Sequence, residues 1–196
     1  MKRKLGTLCI VLGSVLILAA LTLFLWNQKK EQNAEDAVQE ILPIIEERIE
    51  KTVEVQNDQT GLEQETMTEI EVQGESYIGY LSLPTIQVKL PVMTDWSTLQ
   101  LETAPCRYAG SVKTDDLVII AHNYPSHFGN LKNIYVGDIV YFKDMDGIVY
   151  QYEVVKTDVV ESTAIEEVTN SGFSLTLLTC TYSGQNRIAV WCEKVN

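Results

Sequence analysis

The sequence contains 196 residues, which is enough for one ordinary domain and an additional segment. Its formal net charge is −12, and an acidic chain has no surplus of cations to neutralise phosphates, which argues against nucleic acid as a partner. The charge is unevenly spread. Residues 1–30 are basic, residues 31–76 contain 14 acidic and 2 basic residues, and residues 77–196 are mildly acidic.

The first predicted element is a transmembrane helix. Residues 5–26 form an uncharged, apolar run that follows three basic residues. At ~1.5 Å per residue this run can span the ~30 Å hydrocarbon core of a bilayer, and it is too long for the apolar part of a cleavable signal peptide. We therefore predict that residues 1–30 are a cytoplasmic tip and a single-pass type II anchor in the cell membrane. The remaining chain would lie outside the cell.

Residues 31–76 are predicted to be an acidic stalk or linker, because they are polar and contain no aromatic residue. A helical spacing of apolar residues predicts a short amphipathic helix around 34–54. These apolar residues are Val38, Ile41, Leu42, Ile45 and Ile49. Pro43 would interrupt such a helix unless it lay in the first turn. The composition favours a solvated linker. The alternative is that the apolar stripe docks on the following domain and regulates it.

From Tyr77 onward, segments rich in β-branched and aromatic residues alternate with turns, as is typical of short strands. The predicted strands are residues 77–84, 86–92, 116–122, 138–144, 148–160, 173–180 and 187–195. The pair Asp146 and Gly147 indicates a hairpin, and short helices fit near residues 95–101 and 163–169. Seven or eight strands with little helix predict an all-β domain over residues 77–196, either a closed barrel or a sandwich.

Three cysteines follow the anchor, and an odd number of extracellular thiols leaves at least one of them unpaired. Cys180 stands at the end of a predicted strand and is followed by a turn, so we expect it to be the free thiol. Cys106 and Cys192 are then the pair that is left to form a disulfide, although sequence alone does not determine connectivity.

Three residues of complementary chemistry stand at strand ends. His122 ends one predicted strand, Cys180 ends another, and Arg187 begins the strand after it. A cysteine nucleophile needs a proton donor for the leaving group and a positive charge for the developing oxyanion, and this set supplies all three. A single histidine is more often structural, and His127, in a loop, is the competing candidate for the proton donor.

A known family shows the same arrangement of motifs. The sortases, cysteine transpeptidases of Gram-positive cell surfaces, resemble this chain in the strand end "TLLTC", the arginine that follows it, and the upstream "IIAH", "FGNL" and "GD". The resemblance extends to "IGYLSLPTIQVKLPV" and covers about residues 77–196. It implies a closed β-barrel of about eight strands with short helices, preceded by the single transmembrane helix.

The resemblance also implies the roles of the site residues. Cys180 would be the nucleophile, His122 the general acid and base, and Arg187 the group that stabilises the oxyanion and the substrate. The supporting or substrate-binding positions that it implies are Thr179, Ala121 and Leu178. The family often has glycine where Ala121 precedes the histidine.

By the same resemblance, the protein would cleave an LPxTG-like sorting signal between Thr and Gly through a thioester. It would transfer the surface protein to an amine of a peptidoglycan precursor or of a pilin lysine. A class A-like, class D-like or short class B-like member is expected. No cofactor and no metal ligand are expected, although the acidic loop 158–167 with Glu102 offers oxygen ligands for Ca²⁺, as in some class A members.

Two alternatives from other protein classes remain open, in addition to a degenerate sortase, against which the intact Cys180, His122 and Arg187 argue. The L,D-transpeptidases are also extracellular cysteine enzymes of the cell wall, but their nucleophile follows a His-Gly pair, whereas Thr179 precedes Cys180 here. The second alternative is a non-catalytic, membrane-anchored β-barrel that acts as a binding module, with Cys180 held in a disulfide.

Overall fold

Strands are the main regular secondary structure after residue 66 in the computed structural model, which describes residues 2–56 and 66–195. The helices are α1 (Lys2–Gln56), α2 (Thr98–Leu101) and α3 (Ile165–Thr169). The strands are β1 (Ile70–Val72), β2 (Glu75–Leu83), β3 (Val88–Met93), β4 (Cys106–Ala109), β5 (Leu117–Ile120), β6 (Ile139–Asp144), β7 (Val149–Glu161), β8 (Leu175–Cys180) and β9 (Asn186–Lys194). Two short 3-10 segments span Pro84–Ile86 and Leu131–Asn133.

Eight of these strands close into a barrel in the order β2-β3-β4-β5-β8-β9-β7-β6, and the pairing of β2 with β6 completes the ring. β1 pairs with β2 outside this ring. The pairs β3–β4 and β5–β8 are parallel, whereas the other neighbours are antiparallel. The predicted all-β, closed barrel of about eight strands with short helices is therefore confirmed.

The interior of the barrel is filled by alternating side chains of its strands, among them Phe142, Tyr152, Leu177 and Val190. Two strands lie outside the predicted set. β1 and the start of β2 precede residue 77, and the four-residue β4 falls where the sequence suggested a loop. Both are short strands whose conformation depends on pairing with longer neighbours.

The Asp-Gly hairpin between β6 and β7 is confirmed, with a loop of four residues between the strands. The buried carboxylate of Asp144 accepts hydrogen bonds from the backbone N–H groups of Asp146 and Ile148 and from the Tyr150 hydroxyl. Gly147 adopts a φ of 82°, which favours glycine, and a Cβ there would overlap Val53 of α1. The hairpin is therefore shaped to accept the distal end of α1.

Helix α1 is one continuous helix with two different surroundings. Its apolar stretch from Ile10 to Trp26 is exposed, and α1 is long and apolar enough to cross a membrane by length and composition. Beyond this stretch one face packs on the barrel wall. The side chains that it buries are Ala34, Val38, Ile41, Ile45 and Ile49.

The docked face of α1 corrects the expectation of a solvated linker for this part of residues 31–76. Ile41, Ile45 and Ile49 pack against an apolar patch that includes Tyr77 and Met93 on the outer side of the barrel. Each fully buried aliphatic side chain contributes about 1.5–3 kcal/mol to the free energy of docking. The docked stripe therefore holds the helix on the barrel although the remaining positions are polar.

The predicted interruption at Pro43 is also wrong, because α1 continues through that residue. Pro43 lies on the exposed side of the helix, opposite the docked stripe. A proline removes one helical hydrogen bond and tends to bend the helix away from the face on which the proline ring lies. The packing on the opposite face offsets this cost.

The predicted disulfide between Cys106 and Cys192 is wrong, since both thiols are free. Cys106 lies in β4 and packs toward α1, whereas Cys192 lies in β9 and faces the barrel interior. Two strands, β5 and β8, separate β4 from β9, so the two cysteines are about 14 Å apart across the sheet. A disulfide requires Cα atoms within about 7 Å of each other.

Candidate active site

The parallel pairing of β5 with β8 brings the predicted histidine and cysteine to the same edge of the barrel. Ile120 is the register partner of Leu178, and the Ala121 N–H donates to the Leu178 carbonyl at 3.1 Å. Two residues further along the chain come His122, just beyond the end of β5, and Cys180, the last residue of β8. They therefore leave adjacent strand ends, which are separated by about 4.8 Å.

The β8–β9 hairpin adds the arginine. Cys180 and Arg187 are direct register partners across this hairpin. The Nη1 atom of Arg187 donates to the carbonyls of Gly184 and Asn186, both at 3.1 Å. These bonds hold the guanidinium beside the turn that follows Cys180. Its Nε and Nη2 groups have no protein partner among the described residues, so they keep donors for an anionic oxygen.

Thr179 and Ala121 form the wall behind these three residues. The Thr179 hydroxyl donates to the Ala121 carbonyl at 2.8 Å, and both residues are buried. This bond ties the strand of the cysteine to the residue before the histidine. A second link runs from Asn123 to the carbonyl of Thr181, at 3.4 Å. Thr179 is therefore placed to position His122 relative to Cys180.

All six predicted site residues line one pocket, a cavity of about 260 Å³. The remaining walls are largely apolar, and most of them come from the predicted segments 95–101, 148–160 and 163–169, which the sequence did not connect with the site. These walls include Trp96, Leu101, Tyr108, Val160, Ile165 and Val168. Trp96 and Tyr108 pack against each other, with ring centroids 5.4 Å apart. No local pattern in the sequence marked Trp96 or Tyr108 as part of a pocket wall.

His122 is half-buried and sits in a mixed electrostatic environment. Burial lowers its pKa below the usual value, while the carboxylate of Glu102 opposes this effect and the ammonium of Lys30 adds to it. Glu102 and Lys30 form an ion pair at 2.5 Å, so their effects on the imidazole partly cancel. The ring of Tyr124 packs on His122, with centroids 4.8 Å apart. His122 is consequently neutral at pH 7 for most of the time.

His127 has a different environment. Its side chain is fully buried and outside the pocket lining. Burial, with a smaller contribution from His122, lowers its pKa to about 4. The Thr103 backbone offsets part of this cost, but no well-formed hydrogen bond reaches either ring nitrogen among the described residues. His127 cannot easily carry a proton, and the pocket contains His122 instead.

The acidic residues considered for calcium do not converge. Within residues 2–56 and 66–195, no three histidine, cysteine or acidic side chains are close enough together to hold a metal ion. Glu102 is paired with Lys30, and Glu167 lies 4.0 Å from Lys156. Calcium binding by loop 158–167 stays a prediction, and this geometry does not favour it.

Comparison with known proteins identifies a family to which the barrel domain is similar. A family model described as the sortase domain matches residues 81–195. No curated protein matches the chain. The crystal structure of sortase C1 from Streptococcus suis is similar, with 29% identity and a TM-score of 0.53, and the match covers 61% of this chain and 73% of that chain.

Two further solved structures share the fold at lower identity. Sortase C from Streptococcus pneumoniae is 22% identical with a TM-score of 0.54, covering 78% of this chain and 88% of that chain. A lid mutant of sortase A from Corynebacterium diphtheriae is 20% identical with a TM-score of 0.55, covering 79% of this chain and 95% of that chain. At these identities the likeness concerns the fold alone.

Proposed function

This chain belongs to the sortase family, and we propose that it is a membrane-anchored cysteine transpeptidase that uses Cys180, His122 and Arg187. Its substrate would be an LPxTG-like sorting signal, cut between Thr and Gly. The observation that carries the proposal is the meeting of a free thiol, an imidazole and a guanidinium in one pocket at adjacent strand ends.

The first half-reaction would form a thioester. The Cys180 thiolate adds to the threonine carbonyl carbon, and the electron pair moves onto the carbonyl oxygen. When this oxyanion collapses, the bond between the threonine carbon and the glycine nitrogen breaks, and the His122 imidazolium gives its proton to the leaving amine. A neutral imidazole and an acyl-enzyme on Cys180 remain.

The second half-reaction would reverse these roles. An incoming amine attacks the thioester and passes its proton to His122, which restores the imidazolium and expels the Cys180 thiolate. Because burial lowers the pKa of His122, the imidazolium is a minor species at neutral pH. The reactive state of the free enzyme would therefore be a small fraction of the population.

Arg187 and the apolar walls would supply binding. The free N–H groups of the guanidinium are suited to the oxyanion, and they need little reorganisation because two hydrogen bonds already orient the side chain. The leucine and proline of a sorting signal match a pocket lined by aromatic and aliphatic side chains such as Trp96 and Val168.

We further propose that residues 5–26 anchor the protein as a single-pass type II membrane protein with its barrel outside the cell. Surface proteins would be its substrates, and a peptidoglycan precursor or a pilin lysine would provide the amine. The rival binding-module hypothesis required Cys180 in a disulfide, and no observation favours it, since Cys180 is free.

The test is a cleavage and transpeptidation assay on the full chain in detergent micelles. Removing residues 31–76 would expose the apolar patch that α1 covers, so a barrel cut at residue 77 is unsuitable. Fluorescence-quenched LPxTG-type peptides would be combined with a panel of amine acceptors. We expect cleavage and one or more ligated products with the native chain, and neither with Cys180→Ala. Cleavage that persists in Cys180→Ala would refute the proposal.

A further inference from the structure

The contacts of α1 show which end of the barrel lies nearest to the apolar stretch of the helix. Three contacts follow one another along α1. Lys30 forms an ion pair with Glu102, and Glu46 forms an ion pair with Lys89. Val53 then packs against Gly147 of the β6–β7 hairpin. The barrel therefore lies lengthwise along α1. Glu102 is at the end near the apolar stretch, and the hairpin is at the opposite end.

The rise per residue of α1 gives the distance of each contact, along the helix axis, from the end of the apolar stretch at Trp26. Lys30 comes four residues after Trp26, so Glu102 lies within about 10 Å of the level at which the apolar stretch ends, counting ~1.5 Å per residue and the length of the lysine side chain. Val53 is 27 residues after Trp26, so the hairpin stands at about 40 Å by the same rise. The Lys30 ammonium also lies 5.3 Å from the Trp26 ring centroid, which links the two segments directly.

The pocket belongs to the near end. Leu101, next to Glu102, lines the pocket together with His122 and Cys180. The backbone N–H of Glu102 donates to the Leu99 carbonyl at 3.1 Å, so Leu99 is at the same height as the ion pair. Tyr124, which packs on His122, lies close enough to Lys30, Glu31 and Glu102 for electrostatic interaction with their charges.

This end carries apolar side chains that no part of the described chain covers. Leu99 is 73% exposed, and Trp96 is 49% exposed at the rim of the pocket. Lys29 is exposed one residue before the ion pair. An exposed leucine and tryptophan in the segment that leads to Glu102, the partner of Lys30, match the apolar and aromatic side chains found where an apolar helix leaves the bilayer.

We propose that the α2 segment, with Leu99 and Trp96, lies in the headgroup layer of the outer leaflet, so that the Cys180 pocket opens at the membrane surface. The segment would thus be a second membrane contact in addition to the anchor. This inference rests on the proposed membrane anchor, and it specifies where the proposed transpeptidase meets its substrates. Peptides held close to the bilayer would reach Cys180, whereas a site about 40 Å from the membrane would serve free-standing chains.

Two matched tryptophan probes test this placement in the full chain. In a background of Trp26→Phe and Trp96→Phe, the remaining tryptophan is Trp191, which is buried in the barrel and gives a constant baseline. Leu99→Trp places a probe at the near end, and Val149→Trp places one at the hairpin end, where the side chain is 55% exposed. Each protein is reconstituted in vesicles with and without a lipid that carries a nitroxide on its headgroup.

We expect the nitroxide lipid to remove roughly half or more of the added emission of Leu99→Trp, because that indole would lie within ~10 Å of the headgroups. The added emission of Val149→Trp should be unchanged. Equal quenching of both probes, or no quenching of Leu99→Trp, would overturn the placement. A Trp96→Phe chain that keeps Trp26 as the probe checks the anchor, and no quenching there would overturn the anchor and the placement together.

A second variant pair adds a functional readout. Leu99→Glu should lower cleavage of a peptide tethered to the same vesicles by a short spacer by about 10-fold or more, the loss expected from removing one buried apolar side chain from the interface. It should leave cleavage of the free peptide in detergent unchanged, and Val149→Glu should change neither rate. Unchanged tethered cleavage in Leu99→Glu would count against the placement. Quenching of Leu99→Trp without turnover of any peptide would keep the placement and reject the proposed function.

Discussion

The pocket edge and the barrel interior contain the same residue types in opposite surroundings. At the edge, Cys180 and His122 are half-buried and lie beside Arg187. In the packed regions, Cys192 and His127 are fully buried, and burial raises the pKa of the thiol and lowers that of the imidazole. Burial disfavours the charged forms that nucleophilic and acid–base chemistry require. Position at a strand end, and not residue type, therefore keeps Cys180 and His122 accessible from the pocket, as the proposed chemistry requires.

The contrast between the thiols gives the largest expected effect. Cys180→Ala should lower kcat/KM for an LPxTG-type peptide by at least about 1000-fold, because nothing replaces the nucleophile. Cys106→Ala should retain activity within a few-fold, since burial raises the pKa of that thiol to about 12 and it lies outside the pocket lining. Steady-state cleavage assays on both variants measure the difference, and comparable losses in the two would break the comparison.

The contrast between the histidines comes next. His122→Gln should lower kcat by about 100- to 10,000-fold, the usual range for loss of a general acid and base. His127→Gln should act on folding and leave the chemical step close to native in protein that remains folded. Circular dichroism establishes the folded fraction before rates are compared. A larger kcat loss in His127→Gln than in His122→Gln would reverse the assignment.

The docked stripe of α1 is expected to contribute to stability. Ile45 is fully buried against the barrel, so Ile45→Ala should lower the free energy of unfolding by about 2–5 kcal/mol. Glu47→Ala, on the exposed side of the same helix, serves as the control and should change it by less than about 0.5 kcal/mol. Urea denaturation in detergent gives both values. Equal stability of the two variants would mean that the helix is not held on the barrel.

His127 should make the fold sensitive to acid. Its folded-state pKa of about 4 lies below the ordinary 6.5, so the unfolded chain binds the proton more readily. Stability attributable to this residue is present above pH 6.5 and is lost as the pH falls toward 4, by about 3 kcal/mol in total. Unfolding free energies measured from pH 7 to 4 should therefore decrease less in His127→Gln than in the native chain. Parallel curves would contradict this environment.

The smallest effect concerns the ion pair beside His122. In Lys30→Gln, Glu102 keeps its charge but loses its partner, so the pKa of His122 should rise. The acidic limb of the pH profile of kcat/KM, which reports the free enzyme, would then move to higher pH. Lys29→Gln is the matched control on the exposed neighbour and should leave the limb in place. A shift to lower pH in Lys30→Gln would contradict the described geometry.

The strands and the grouping of the candidate site residues were largely predictable because their signals are local. Alternating β-branched residues mark the long strands, and the motifs around His122 and Cys180 mark strand ends that parallel pairing then brings together. β4 was missed because four residues carry too little pattern, and its pairing with β5 determines its conformation. Trp96 and Val168 joined the pocket wall through long-range packing that no local pattern records.

The docking of α1 and the separation of the cysteines depend on which face of a strand is covered. The spacing of Ile41, Ile45 and Ile49 predicted an amphipathic helix, but the patch that receives it lies on the outer face of β2 and β3. Those strands are buried on both faces, so their sequences do not reveal a separate outer surface. The same reasoning explains Cys106 and Cys192, which are both buried but lie on opposite faces of the barrel wall.

The proposed acyl-enzyme on Cys180 can be tested by intact-mass spectrometry of the full chain during turnover of an LPxTG-type peptide without added amine. We expect a covalent adduct with the mass of the peptide fragment that ends at threonine, mapped to Cys180 and released when an amine is added. An adduct on another residue, or peptide cleavage with Cys180 unmodified and open to alkylation throughout, would contradict this proposal.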